Sequence, residues 1–230
     1  MPLTELASEF VYPIFLDLRD RLTVVVGAGQ VGQRKLQGLL KAGAKVRLID
    51  PLLAKTPCLE TAVEAVGRCF RASDLQDARL VFACTDSPQV NQQVVDEARR
   101  RQVLCCRADR PWVGDFALPA VYTQGGLRVA VSTSGKSPAL AVEMRDRLEQ
   151  LIPDFWGVSL EIMAGIRRIM LTDKVGNKYN QRVLRHFWAD QLLPLLELRR
   201  FSEIDELLIE TFGSEFSLEH LQVQIPEGIS

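Results

Sequence analysis

The sequence lacks most of the features that would place it in a specialised class. No apolar run approaches the ~20 residues of a membrane-spanning helix, so no membrane span is expected. Neither sign of charge dominates: 28 Lys and Arg stand against 29 Asp and Glu, and no global field selects nucleic acid or a membrane surface as partner. Histidine is scarce. His186 and His220 are far apart in the chain and make no metal-ligand pattern, so no metal site is expected. The five cysteines, Cys58, Cys69, Cys84, Cys105 and Cys106, are odd in number and show no CxxC spacing. Cys105 and Cys106 are adjacent on a predicted strand, where neighbours point to opposite faces and cannot share a metal. The first residues carry Glu5 and Glu9 and lack a basic signal-peptide region, which sets the expectation of a cytoplasmic location. Internal repeats and low-complexity tracts are missing as well.

What is there is a chain of 230 residues, 47% hydrophobic, with enough apolar material for a substantial core. Three zones emerge. Residues 1–112 alternate β-branched runs with helical stretches: strands at 22–26, 45–49, 79–84 and 103–106, helices at 31–41 and 89–101, with Gly43 placed to close the first helix. That alternation predicts an α/β fold, a doubly wound parallel sheet. Residues 113–152 predict two strands, 115–122 and 127–133, joined at Gln124-Gly125-Gly126, then a helix with Ser137 as N-cap and Pro138 at its first position. Two strands are too few for a sheet of their own, so a homodimer paired through this region is expected. Residues 153–230 predict a helical domain with breaks near 173–176 and at Pro194.

Gly27-Ala28-Gly29-Gln30-Val31-Gly32 is a GxGxxG directly after a strand and directly before a helix, the context in which that pattern is informative. Gly27 permits the turn, Gly29 admits a pyrophosphate, and Gly32 allows close helix packing. The phosphates then rest on the amides that Gln30 and Val31 bring to the helix N-terminus. Asp50, followed by Pro51, ends the second strand 18 positions beyond Gly32. A carboxylate there accepts the ribose hydroxyls and repels a 2′-phosphate, so NAD is favoured over NADP. Arg47 lies on the strand rather than after it, a poor place from which to bind such a phosphate. Thr85 follows a further strand, where such sheets meet their cofactor.

Ser134-Gly135-Lys136-Ser137 invites a P-loop reading, but that motif needs a glycine where Ala130 stands. Ser132, Thr133, Ser134, Lys136 and Ser137 nevertheless bring hydroxyls, a lysine and a helix N-terminus together, a combination suited to carboxylates; the alternative is an ordinary capped turn.

Several segments in one order carry a resemblance: Tyr12-Pro13-Ile14-Phe15-Leu16-Asp17-Leu18, Val24 to Lys35 with its Arg34-Lys35 after the glycines, Ala83-Cys84-Thr85-Asp86 with Asn91, then Asp109, Phe116-Ala117-Leu118-Pro119-Ala120 and Ser132 to Pro138. Together they resemble the siroheme synthase N-terminal family, precorrin-2 dehydrogenases of which some also chelate iron. The likeness covers about residues 10–150; the tail is similar only in being helical. It implies an NAD-binding domain, a small dimerisation region and a C-terminal helical domain, with NAD-dependent oxidation of precorrin-2 to sirohydrochlorin as the activity. It also implies an important aspartate at Asp109. Here Arg107 stands where the family usually has asparagine.

Under that resemblance, Asp109 at the end of a strand is the candidate base, and Arg107, Arg110, Lys136 and the Ser132–Ser137 loop are candidates to receive the carboxylates of the tetrapyrrole. Arg167, Arg168, Lys174, Lys178, Arg182 and Arg185 fit either the wall of a polyanion cleft or a solvated helix face. Two other readings stand beside this one. A nucleotide-sensing Rossmann module needs neither Asp109 nor the loop, and a dehydrogenase of another small metabolite needs no such loop. A second activity as ferrochelatase is left open.

Overall fold

Short apolar β-branched runs set the centre of the fold, because a strand covered on both faces has no use for polar residues. The structure is a computed structural model that describes residues 12–55, 62–172 and 181–224. Its first sheet contains β1 (Leu22–Val26), β2 (Lys45–Ile49), β3 (Val63–Val66), β4 (Leu80–Ala83) and β5 (Leu104–Arg107). All pairings are parallel, in the order β3-β2-β1-β4-β5. Alternate residues of each strand feed two separate cores. Val24, Val26, Val81 and Cys105 join Val94, Val95 and Ala98 of helix α2 (Pro88–Arg101) on one face. Val25, Leu48, Phe82 and Cys106 join Leu36 and Leu39 of helix α1 (Gln30–Lys41) on the other. The adjacent cysteines thus lie on opposite faces, as the strand period requires. Burial pushes the Cys84 thiol up to about 11 and the Cys105 thiol up to about 12, the behaviour of core residues rather than nucleophiles.

Helix α1 ends as the sequence predicts. Gly43, at φ +74°, turns the chain so that its amide reaches Leu40 O and the Ala44 amide reaches Leu39 O. Helix α2 begins with Ser87, whose Oγ accepts from the Val90 amide, and with Pro88 at its first position. The strand expected over 115–122 starts later. Asp115 is tied back to β5, its amide donating to Cys105 O (2.7 Å) and its Oδ2 accepting from the Cys105 amide (2.8 Å). Pairing therefore begins at β6 (Ala120–Gln124), which meets β7 (Leu127–Val131) antiparallel across Gly125-Gly126.

The chain forms two compact units. One comprises the described residues of Met1–Leu118 with Thr133–Ser137, the other those of Pro119–Ser132 with Pro138–Ser230. The three zones read from sequence, 1–112, 113–152 and 153–230, are thus distributed over two units. The β6–β7 hairpin packs on helix α3 (Pro138–Leu151), and β7 also meets helix α4 (Phe155–Thr172). The core of this second unit joins Val158, Ile162 and Ile166 of α4 to Phe187, Leu192, Leu196, Ile204 and Leu208. Trp188 Nε1 donates to the buried Ser159 Oγ, which satisfies both groups. Pro194 does not break the chain there. Helix α5 (Gln181–His186) runs through a π-helical stretch, Phe187–Leu192, into α6 (Leu193–Glu197), and the break falls at Arg199, φ +55°, before α7 (Phe201–Phe212). Proline lacks the N–H of the i→i−4 ladder, and the π turn absorbs that loss. The break expected at 173–176 lies outside the described residues, as do Lys174 and Lys178. Among the described residues no helix is long and apolar enough to cross a membrane.

Candidate active site

Strand order reverses between β1 and β4, and a crevice opens at the carboxyl ends of the strands there. Gly27, at φ +102°, makes the turn out of β1; a Cβ on it would lie 2.6 Å from Cys84 O, so only glycine lets the two strand ends meet. Around this point is a cavity of about 490 Å³ whose walls include Gly27, Gly29, Asp50, Pro51 and Thr85. A Cβ on Gly29 would meet nothing within 4 Å, which leaves open space over the start of α1. The first-turn amides of α1, contributed by Gln30 and Val31, have no partners inside the helix and suit a phosphate. Gly32 serves packing: its Cβ would fall 1.9 Å from Gly27 O.

Asp50 is held in place by backbone. Ala28 N–H donates to its Oδ2 (2.7 Å) and Leu52 N–H to its Oδ1 (2.8 Å), and each oxygen retains a lone pair. The glycine turn and this acid are therefore one hydrogen-bonded unit. The open space, the free amides and the oriented carboxylate fit the phosphates and ribose of a dinucleotide. Sequence reasoning missed the far wall, which adds Arg68, Cys69, Phe70, Val90 and Gln93. The loop after the four-residue strand β3 supplies the first three, and no motif marks it. Both arginines near Asp50 are occupied: Arg47 bonds Glu64 Oε2 (2.8 Å) and Asp74 O (2.8 Å), and Arg68 pairs with both Asp74 oxygens (2.8 and 2.6 Å).

Beyond β4 a polar network links the crevice to the end of β5. Asn91, buried on α2, accepts at Oδ1 from the amide and hydroxyl of Thr85 (3.1 and 2.8 Å). Its Nδ2 donates to Thr85 O (3.0 Å) and to Asp109 Oδ1 (2.9 Å). Arg107 grips Asp109 with Nε on Oδ1 and Nη2 on Oδ2, both 2.9 Å, and reaches Gln92 Oε1 (2.6 Å) and Pro88 O (3.3 Å). These placements correct one expectation and bear on another. Arg107 is the last residue of β5 and only 2% exposed, with its guanidinium spent on Asp109 and α2, so it is not a surface group awaiting a substrate carboxylate. The Arg107 fork, with help from Asn91, holds the Asp109 carboxyl below the usual range against a desolvation that works the other way. Asn91 was legible only as part of the resemblance, and Gln92 carried no signal at all.

The loop Thr133–Ser137 is a tight turn. Ser134 (φ +52°) and Gly135 (φ +78°) are both left-handed, the Lys136 amide donates to Thr133 O (3.0 Å), and Thr133 Oγ1 exchanges hydrogen bonds with the Ser137 amide and carbonyl (3.1 and 3.0 Å). Ser132, Ser134 and Lys136 are exposed, while Thr133 and Ser137 are half-buried. His186 pairs with Asp190 one turn on, His220 Nδ1 meets Ser217 Oγ (2.6 Å), and Arg168 donates to Leu221 O (2.8 Å).

A five-stranded parallel sheet with a glycine turn at its switch point and an acid ending β2 defines a Rossmann-type dinucleotide-binding protein, here with a helical C-terminal region. Residues 14–120 match a family described as NAD(P)-binding, and residues 124–151 one described as the central domain of sirohaem biosynthesis proteins. The chain is 37% identical over 207 residues to the siroheme synthase of Methylococcus capsulatus, covering 86% of this chain and 42% of that protein. It is 33% identical over 226 residues to the siroheme synthase of Nitrosomonas europaea, covering 94% and 45%. The fold is similar to that of SirC, precorrin-2 dehydrogenase, with TM-score 0.67 and 22% identity over 84% of this chain and 98% of that one. The chain spans less than half the length of these curated siroheme synthases. Over 86–94% of its length the chain is thus similar to siroheme synthases, and it carries matches to both of the families described.

Proposed function

We propose that this protein oxidises precorrin-2 to sirohydrochlorin with NAD as the acceptor. The observation that carries the proposal is the continuity of the site: Asn91 joins Thr85, on the wall of the nucleotide crevice, to Asp109, the family's aspartate. A module that merely sensed nucleotide has no need of a buried network reaching past the crevice. When bound, NAD supplies the carbon that takes up hydride. The residues of the chain supply placement. Gly27, Gly29 and Gly32 shape the turn, Gln30 and Val31 offer amides to the pyrophosphate, and Asp50, Pro51 and Thr85 border the nucleoside parts. Ser132, Thr133, Ser134, Lys136 and Ser137 are assigned to substrate carboxylates, since hydroxyls, an ammonium and a helix start all favour anions.

The choice of NAD over NADP is supported by Asp50, whose charge opposes a 2′-phosphate, and by the engagement of Arg47 and Arg68 with Glu64 and Asp74. A cytoplasmic homodimer is part of the same proposal. Pairing through residues 113–150 is supported by the exposure of Val121, Leu140, Val142 and Met144.

The direct test mixes the purified protein with precorrin-2 and NAD and follows NADH absorbance. Steady NADH formation dependent on both is expected; its absence with freshly made precorrin-2 sinks the activity. Nucleotide binding is checked separately at Cys69, which is exposed on the crevice wall. NAD should slow alkylation of Cys69, and an unchanged rate at saturating NAD would mean the crevice is not its site.

A further inference from the structure

The surroundings of Asp109 are more elaborate than a turn aspartate requires. Its Oδ1 accepts two hydrogen bonds, from Arg107 Nε and Asn91 Nδ2, whereas Oδ2 accepts one, from Arg107 Nη2, each at 2.9 Å. The Asp109 backbone N–H also bears on the carboxylate, so the group is well held, and its solvent-facing edge is what a further donor can reach. The Asp109 side chain is 33% exposed and the Arg107 side chain 2%, so solvent reaches the acceptor and not its clamp. The clamp is itself fixed at the start of α2, by Gln92 Oε1 and Pro88 O. A planar guanidinium with this many fixed contacts leaves the carboxylate little freedom of rotation.

We infer that Arg107 is a positioning residue that holds Asp109 as a hydrogen-bond acceptor for the N–H groups of the substrate, and that Asp109 does not remove the substrate's proton. The inference rests on the tetrapyrrole reading above, whose pyrrole rings supply such donors. Charge around Asp109 agrees with it. Arg107 is the cation that acts on its carboxylate. The neighbouring thiols, Cys84 at the end of β4 and Cys105 on β5, are kept neutral by burial. Asp96 of α2 acts on Arg107, and Lys35 of α1 acts on Cys84. A carboxylate stabilised in this way has little drive to take a proton, because base strength falls with its pKa. A charge-assisted N–H···O⁻ bond gains from the same stabilisation. The hydride acceptor would be the NAD held by the crevice residues, the accompanying proton would pass to water, and Asp109 would end as it began.

The test uses steady-state kinetics with precorrin-2 and NAD across pH on the wild type, Asp109→Asn and Arg107→Asn. Asp109→Asn should raise KM about tenfold, the ~1.4 kcal/mol of one weakened hydrogen bond, with kcat within about threefold. Arg107→Asn should move the acid limb of kcat/KM up into the ordinary aspartate range, whereas the wild-type limb lies lower. If Asp109→Asn instead loses ~10²-fold in kcat at unchanged KM, Asp109 is the base and the inference is overturned. A wild-type pH profile and KM in Arg107→Asn would remove Arg107 from any positioning role. Should that variant lose its fold, read by NAD affinity, Arg107→Lys keeps the charge without the fork and is judged by the same criteria. NMR titration of the ¹³C-labelled Asp109 carboxyl in wild type and variant needs no turnover. It therefore separates failure of this inference from failure of the tetrapyrrole reading: a carboxyl that titrates alike in both overturns the inference even if no NADH forms.

Discussion

Removing the Asp109 carboxylate strands a guanidinium that is 2% exposed, and this makes Asp109 a structural residue. A strand-end aspartate read from sequence suggests that Asp109→Ala leaves folding untouched; the buried partner argues otherwise. The loss should cost about 2–3 kcal/mol, less than the 3–5 kcal/mol of a fully buried pair because Asp109 is a third exposed and Gln92 and Pro88 remain. Urea unfolding at neutral pH checks it, and a cost near zero would mean Arg107 finds other partners. The pair also has a pH signature. The Asp109 carboxyl is held below its ordinary value by Arg107, so its stabilisation is complete above the unfolded-state pKa and is lost as pH falls through the depressed folded value. The stability gap between wild type and Asp109→Asn should therefore narrow on acidification; a constant gap contradicts the ion pair. At the other end of the crevice, Asp50→Ala should lower NAD affinity and narrow the preference over NADP. Equal use of both cofactors by the wild type would end the role of Asp50, whose two backbone bonds would then serve only the turn.

At the scale of elements, the β1–α1 junction is the most constrained piece of the molecule. A methyl group on Gly32 would fall 1.9 Å from Gly27 O, a backbone atom that cannot step aside without opening the turn. Gly32→Ala should cost at least about 1–3 kcal/mol, the usual range for overpacking, and should abolish NAD binding by calorimetry at concentrations that saturate wild type. Retained binding would show that the turn tolerates a shift. Elements also mark how far sequence could be read. β1, α1 and β2 were legible to within a residue, since apolar runs, a glycine fingerprint and a closing Gly43 agree on their ends. β3 was not: Val63-Glu64-Ala65-Val66 is a short edge strand, half exposed, that exists by pairing with β2 rather than by its own pattern. Its following loop brings Arg68 and Phe70 to the crevice, so missing the strand meant missing that wall. Ending β5 at Cys106, one residue early, had a similar consequence. Arg107 belongs to the strand, paired with Ala83, and the strand's alternation turns it inward towards α2 rather than out to solvent.

At the scale of the whole molecule, the hairpin β6–β7 finds part of its cover within its own unit, on α3 and α4, yet Val121 and Met144 stay exposed. A homodimer is therefore expected by light scattering at micromolar concentration, and Val121→Lys should shift it towards monomer. A fully active monomeric wild type would show that the exposed face serves something else. The sequence by itself determined what depends on local pattern: the doubly wound sheet, the glycine turn with Asp50, and the hairpin with the helix that follows it. Periodicity, turn residues and caps act over a few neighbours and are written in the chain. Tertiary structure alone decided that Arg107 clamps Asp109, that Asn91 ties it to Thr85, and that Arg68 is spent on Asp74. These are contacts between side chains from different elements, and whether an arginine meets solvent or a buried carboxylate is set by where the fold places both, not by the residues beside it.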